Sequence, residues 1–136
     1  MKISAIQLDL DARENGAWVG NLPGLDPDVK LFARGSGNTL YREMEKQQLK
    51  AIEQMRDDER TPERVDALVN ERLLKTILLN WQGIDADDGA PLEYTEDRAR
   101  SWLSAPDMVV FRTAVIYAGD IVANRRKSAI EAAGKN

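Results

Sequence analysis

Residues 61–81 read TPERVDALVNERLLKTILLNW, and the reading of this stretch decides the fold. Thr61 offers a capping hydroxyl, and Pro62 takes the first helical position, where a missing N–H costs nothing. Val65, Leu68, Val69, Leu73, Ile77 and Trp81 then recur at three- and four-residue spacing, the stripe of an amphipathic helix. Leu74, Leu78 and Leu79 widen that stripe toward its end. The spacing predicts a core helix from Thr61 to Trp81 whose last turns are buried on most sides.

Toward the N-terminus the pattern changes. Ile3, Ile6, Leu8 and Leu10 partly alternate with polar residues, and Asn15-Gly16 supplies a turn signal. Ala17-Trp18-Val19 and Val29-Lys30-Leu31-Phe32-Ala33 are two further short apolar runs, separated by Asn21-Leu22-Pro23-Gly24. Residues 1–35 therefore read as two or three short strands in a hairpin or meander. A lone hairpin is marginal in water, so it must pack on something else. Asn38 is placed to cap a helix from about Thr39 to Arg56, with a thin stripe of Leu40, Met44, Ala51, Ile52 and Met55.

Toward the C-terminus, residues 82–94 form an acidic loop, and Thr95-Glu96-Asp97 caps a short helix through Trp102 and Leu103. Pro106 opens a last helix containing Val109, Val110, Phe111, Ala114, Val115, Tyr117, Ala118, Ile121 and Val122, apolar around well over half its circumference. The expected architecture is α+β, mainly α: a small N-terminal β-hairpin or meander over 1–35, then about four helices in a compact bundle over 36–127, with a frayed tail over 128–136. The whole chain, 1–136, reads as one domain.

Composition bounds the chemistry. The 136 residues include no cysteine and no histidine, which removes disulfides, thiolate nucleophiles, Cys/His zinc sites and imidazole bases. A net charge of −4 argues against a general nucleic-acid binder. No apolar run approaches the ~20 residues of a membrane span. The start, MKISAIQLDLDARENG, lacks the basic-then-apolar plan of a signal peptide. The expectation is a cytosolic, non-enzymatic domain without cofactor or metal.

Three candidate motifs lose to plainer readings. Asp85, Asp87 and Glu96 resemble positions 1, 3 and 12 of a calcium loop, but Gly89 and Ala90 stand where an oxygen ligand and glycine are needed. Gly35-Ser36-Gly37-Asn38 lacks the Gly-Lys-Ser/Thr ending of a phosphate loop and reads as a strand-to-helix connector. Arg125-Arg126-Lys127 complements the dipole of the helix it follows.

Charge is uneven along the chain. Residues 82–97 carry six acids and no base, whereas 98–136 carry seven bases and three acids. That asymmetry, with the apolar surplus of the last helix, favours a homo-oligomer. Trp102, Phe111, Val115, Ile116, Tyr117 and Val122 cannot all face one narrow core stripe. The surplus either packs under the N-terminal strands or meets another protein, and these six residues are the candidate protein-binding set.

The segment Asn80-Trp81-Gln82-Gly83-Ile84 with Asp85, Asp87-Asp88-Gly89 and Pro91-Leu92-Glu93-Tyr94-Thr95 resembles a W-x-G-(I/L/V)-x-D-x-x-G-x-P segment of small phage and prophage tail proteins. Glu96 through Pro106, with its Ala99, Leu103 and Pro106, resembles the stretch that follows it there. Ala33-Arg34-Gly35-Ser36-Gly37-Asn38 with Tyr41-Arg42 resembles a further motif, R-G-x-x-N-x-x-(Y/F)-R. The likeness runs from about Trp18 to Val122.

On these residues the chain resembles the tail assembly chaperones of long, non-contractile-tailed phages. The resemblance implies a mostly helical protein of the host bacterial cytoplasm, absent from the mature virion. Such a protein binds the tape-measure protein and helps recruit tail tube protein. No catalytic residue comes with it. A structural tail component retained in the virion, or a prophage-borne regulatory binding protein, are the alternatives. Physically, Trp81, Gly83, Asp85, Asp88, Gly89 and Pro91 read as a rigid helix–loop–helix elbow, each with a turn or packing duty.

Overall fold

The computed structural model describes residues 1–129. Each predicted helix start is present. Asn38 caps α2 (Thr39–Gln54), its side chain accepting from the Tyr41 amide at 2.9 Å. Thr61 caps α3 (Pro62–Thr76) by accepting from Arg64 N, and Thr95 caps α4 (Glu96–Ser104) by accepting from Arg98 N. A 3-10 turn at Pro106–Met108 leads into α5 (Val109–Ala123).

Three antiparallel strands, β1 (Ala17–Val19), β2 (Lys30–Ala33) and β3 (Leu78–Gln82), form a sheet with β2 in the middle. Val19, Leu31 and Trp81 stand in register on the inner face, and Trp18, Phe32 and Asn80 on the outer. α5 lies against the inner face and touches β1, β2, α1 and α4, while α2 and α3 pack as a pair at the side. Leu31, Ile77, Leu78, Leu103, Val115 and Val122 are almost wholly removed from water where these layers meet. The architecture is α+β and mainly α.

Two sequence expectations are corrected. The stretch Ile3–Leu10 is not a strand: Ile3–Ala5 is a 3-10 turn, and a short helix α1 (Leu10–Asn15) follows. Asp9 caps it, its carboxylate accepting from the Ala12 amide at 3.0 Å. That local bond competes successfully with strand pairing. Only one bridge survives of the extended reading, Leu8 opposite Arg126, flanked by Asp9 N to Arg125 O at 2.8 Å and Lys127 N to Gln7 O at 2.9 Å.

The core helix stops at Thr76, not Trp81. The buried Asn38 side chain donates to Thr76 O at 2.8 Å, and Arg34 N donates to Ile77 O at 2.9 Å. Residues 78–82 find strand partners on β2. A register shift opposite Phe32/Ala33 leaves Leu79 as an extra residue, so Leu78 and Trp81, three apart, both point inward. Three-residue spacing here marks a bulged strand.

α2 is peripheral. Its one buried residue is Gln48, whose amide donates to Leu68 O at 2.7 Å, and Leu40 and Ala51 of the predicted stripe face solvent. Of the predicted frayed tail, Ser128 and Ala129 continue a short helical turn after Arg126; 130–136 lie outside the described residues.

Candidate functional site

The elbow residues build one aromatic corner. Trp81 stacks on Trp102 at 4.7 Å with planes 8° apart, and meets Phe111 and Tyr94 edge-on at 5.7 and 5.0 Å. Trp102 in turn meets Phe111 at 5.3 Å. The Trp81 indole N–H donates to Leu92 O at 2.7 Å, tying the loop to the corner. The element carrying Trp81 is β3, so the elbow is strand–loop–helix, correcting the helix–loop–helix expectation.

The loop itself is a miniature hairpin. Leu92 N donates to Ile84 O, Asp85 bridges Pro91, and Gly89 N closes the turn on Ala86 O at 2.8 Å. The Asp88 carboxylate accepts from Ala90 N at 2.9 Å, as turn aspartates do. Gly83 is required twice. Its φ is +86°, and a Cβ there would sit 2.4 Å from Asp28 O. Asp85, Asp88, Gly89 and Pro91 are exposed and serve the loop's own backbone.

The connector 34–38 is a second lock. Ser36 N donates to Gly119 O and Gly35 N to Arg13 O, both at 2.9 Å, and the Ser36 hydroxyl lies 2.9 Å from Asp120 Oδ1. The fully buried Asn38 caps α2 and also donates to Gly35 O and Thr76 O. The Arg-Gly-Ser-Gly-Asn motif thus joins α1, α2, α3 and α5, and its polar groups are committed to that task.

These locks hold α5 with one face inward. Phe111, Val115 and Val122 of the candidate binding set lie in the core, together with Ala114 and Ala118, and Trp102 is half-buried in the aromatic corner. Val115 and Val122 are covered within the chain, whereas Trp102 and Phe111 also border a groove. Ile116 and Tyr117 face water. Around them stand Val109, Val110 and Ile121, which the sequence reading did not single out as binding residues. Their exposures are 59% for Val109, 53% for Val110, 37% for Ile116, 47% for Tyr117 and 38% for Ile121. With Thr113 and Asp120 they fill an arc of about 140° at 100° per residue, running the length of the helix. A signal for this strip was present, since 109, 113, 116, 117, 120 and 121 follow helical spacing. Nothing in the sequence alone told it from the equally apolar inner face.

Grooves flank the strip at its N-terminal end. One, of about 610 Å³, lies between α3 and α4, with Val109, Leu103 and Arg112 on its wall. The other, of about 370 Å³, has Trp102, Phe111 and Val110 on its floor and Asp26, Asp85 and Asp107 on its rim. Beyond the other end of α5 stand Arg126 and Lys127, both exposed. The strip is apolar save for Thr113 and for Asp120 in its last turn, with an acidic groove beside its first turn and Arg126 and Lys127 beyond its last.

Two of the shifted carboxyls clamp one element to another. Glu14 accepts from the Thr39 amide, and that bond holds its carboxyl below the usual range. Lys75, hydrogen-bonded to Glu96, does the same across α3 and α4. Burial, and then the nearby Glu96 charge, push the Tyr94 hydroxyl up. Among the described residues no group of three or more acidic side chains is gathered where it could hold a metal ion.

The model of a protein family described as YdaY prophage protein matches residues 36–136, about three-quarters of the chain. The match begins at the connector and takes in the elbow and α5, leaving α1, β1 and β2 outside it. No curated protein and no solved structure matches the chain.

Proposed function

We propose that this chain, which belongs to the YdaY prophage protein family, acts in phage tail assembly as a chaperone that holds apolar helical segments of the tape-measure protein. One observation carries the reading: five large apolar side chains in a single strip on a helix whose other face is fixed by the core. A client helix packed alongside α5, apolar face against apolar face, is the recognition mode such a strip suits. An apolar helical client needs its side chains covered until the tail tube encloses them, and the chain's acidic balance keeps a complex soluble. In this reading the protein works in the host cytoplasm, recruits tube subunits while the client is bound, and leaves before the particle is complete. It supplies binding, with no cofactor or catalytic step.

Co-expression with a tape-measure fragment tests the reading. The fragment stays in the soluble fraction with the wild-type chain and pellets with Ile116→Glu or Tyr117→Glu. If it pellets equally with and without the wild-type chain, the reading fails. Mass spectrometry of purified particles tests departure: a chaperone is missing from them, whereas a structural tail component is present.

A further inference from the structure

We propose that two copies of this chain pair through the outer face of α5, the two helices antiparallel about a two-fold axis. The strip contains five apolar residues, Thr113, and one charge, Asp120, itself 2.9 Å from the Ser36 hydroxyl. Its ends decide the partner. Asp26, Asp85 and Asp107 share one groove with Val110 beside the first turn of α5. Arg126 and Lys127 stand just past the last turn, fixed by the pairing of Arg125–Lys127 with Gln7–Asp9.

A parallel pairing would set acid against acid and base against base. An antiparallel pairing sets the acidic end of each copy over the basic end of the other, twice, with the apolar strips between. A patch that is its own complement under a two-fold is what an isologous dimer requires. The helix dipoles also oppose one another in this arrangement.

The size of the contact places it in a class. α5 has 15 residues and is about 22 Å long, so one helix pair with its flanking loops falls at the small end of specific interfaces. Dissociation on the order of micromolar follows. The charged ends fix orientation and add salt dependence. This inference does not need the client reading, although both use one surface: the free chain covers its strip with a second copy, and a client displaces that copy.

The test is sedimentation equilibrium of the purified full chain between about 1 and 500 µM, at about 50 and 500 mM salt. The expected result is a monomer–dimer equilibrium that weakens with salt. Ile116→Glu raises the dissociation constant by about 30-fold or more, with an unchanged circular dichroism spectrum. Asp26→Lys/Asp85→Lys and Arg126→Glu/Lys127→Glu each weaken self-association, while a mixture of these two double variants pairs with itself as a heterodimer. A chain that stays monomeric throughout, or a dimer that survives Ile116→Glu, overturns the proposal. A monomer that still holds the tape-measure fragment in solution sinks the dimer and leaves the client reading standing. A dimer that fails to hold the fragment does the reverse.

Discussion

The two faces of α5 are built from the same kinds of residue and have opposite fates. Inward, Phe111, Ala114, Val115, Ala118 and Val122 alternate large and small and fill the space under β1 and β2. Outward, Val109, Val110, Ile116, Tyr117 and Ile121 are comparably apolar and stay about one-third to three-fifths exposed among the described residues. Hydropathy does not separate the faces; shape does. The inner face carries the small residues that let a sheet and a connector approach, and the outer strip from Val109 to Ile121 has no alanine or glycine. An apolar helix side without small residues is suited to an added partner, because it leaves a raised ridge.

The sharpest way to break this contrast is to truncate one residue on each side. Phe111→Ala empties the centre of the aromatic corner and lowers stability by about 3–5 kcal/mol in urea unfolding. Ile116→Ala changes it by no more than about 0.5 kcal/mol. Equal losses would remove the distinction.

Asn38→Ala tests the lock that orients the helix. It deletes a cap and removes the side-chain donor to Thr76 O, while Gly35 O keeps the residue 38 amide, and stability falls by about 2 kcal/mol. Trp81→Phe keeps an aromatic ring but loses the indole bond to Leu92 O, and about 1–2 kcal/mol with it. Loop amides around Leu92 then exchange hydrogen faster than those of α5.

The smallest effect is read from pH. The Glu14 carboxyl sits below its ordinary 4.5 in the folded chain. Its contribution is therefore complete above that value and disappears as pH falls through the lower, folded pKa. Urea unfolding of Glu14→Gln between pH 3 and 7 shows a flatter acid limb than wild type, and parallel limbs would refute the clamp.

Local signals carried much of the fold. Asn38, Thr61-Pro62 and Thr95 announced three helix starts because a cap is a contact between near neighbours. Trp18 and Phe32 likewise fell on the predicted short strands. The failures lie where a distant partner decides. Leu78 through Trp81 fit a helix by spacing alone, and only the pairing with residues some fifty positions away makes them a bulged strand. Near the N-terminus, apolar alternation at Ile6, Leu8 and Leu10 outweighed Asp9 in the reading, yet the Asp9 cap organises that segment. For the candidate surface, the right helix was legible and the right side of it was not. Which of Phe111 and Ile116 turns inward depends on Ser36 and Trp81, and neither lies on α5.

The close fit at Gly119 has a consequence for how fast this protein acts. A Cβ there would lie 2.8 Å from Ser36 Oγ, and one on Gly35 would lie 2.9 Å from the Ala123 backbone. With the aromatic corner wedged against its first turn, α5 has no freedom to roll about its axis. The surface it shows in isolation is the one that the proposed partner would meet, so little ordering entropy would be lost on binding. On the proposed readings, capture then waits on encounter and on release of the paired copy, with no internal rearrangement of α5.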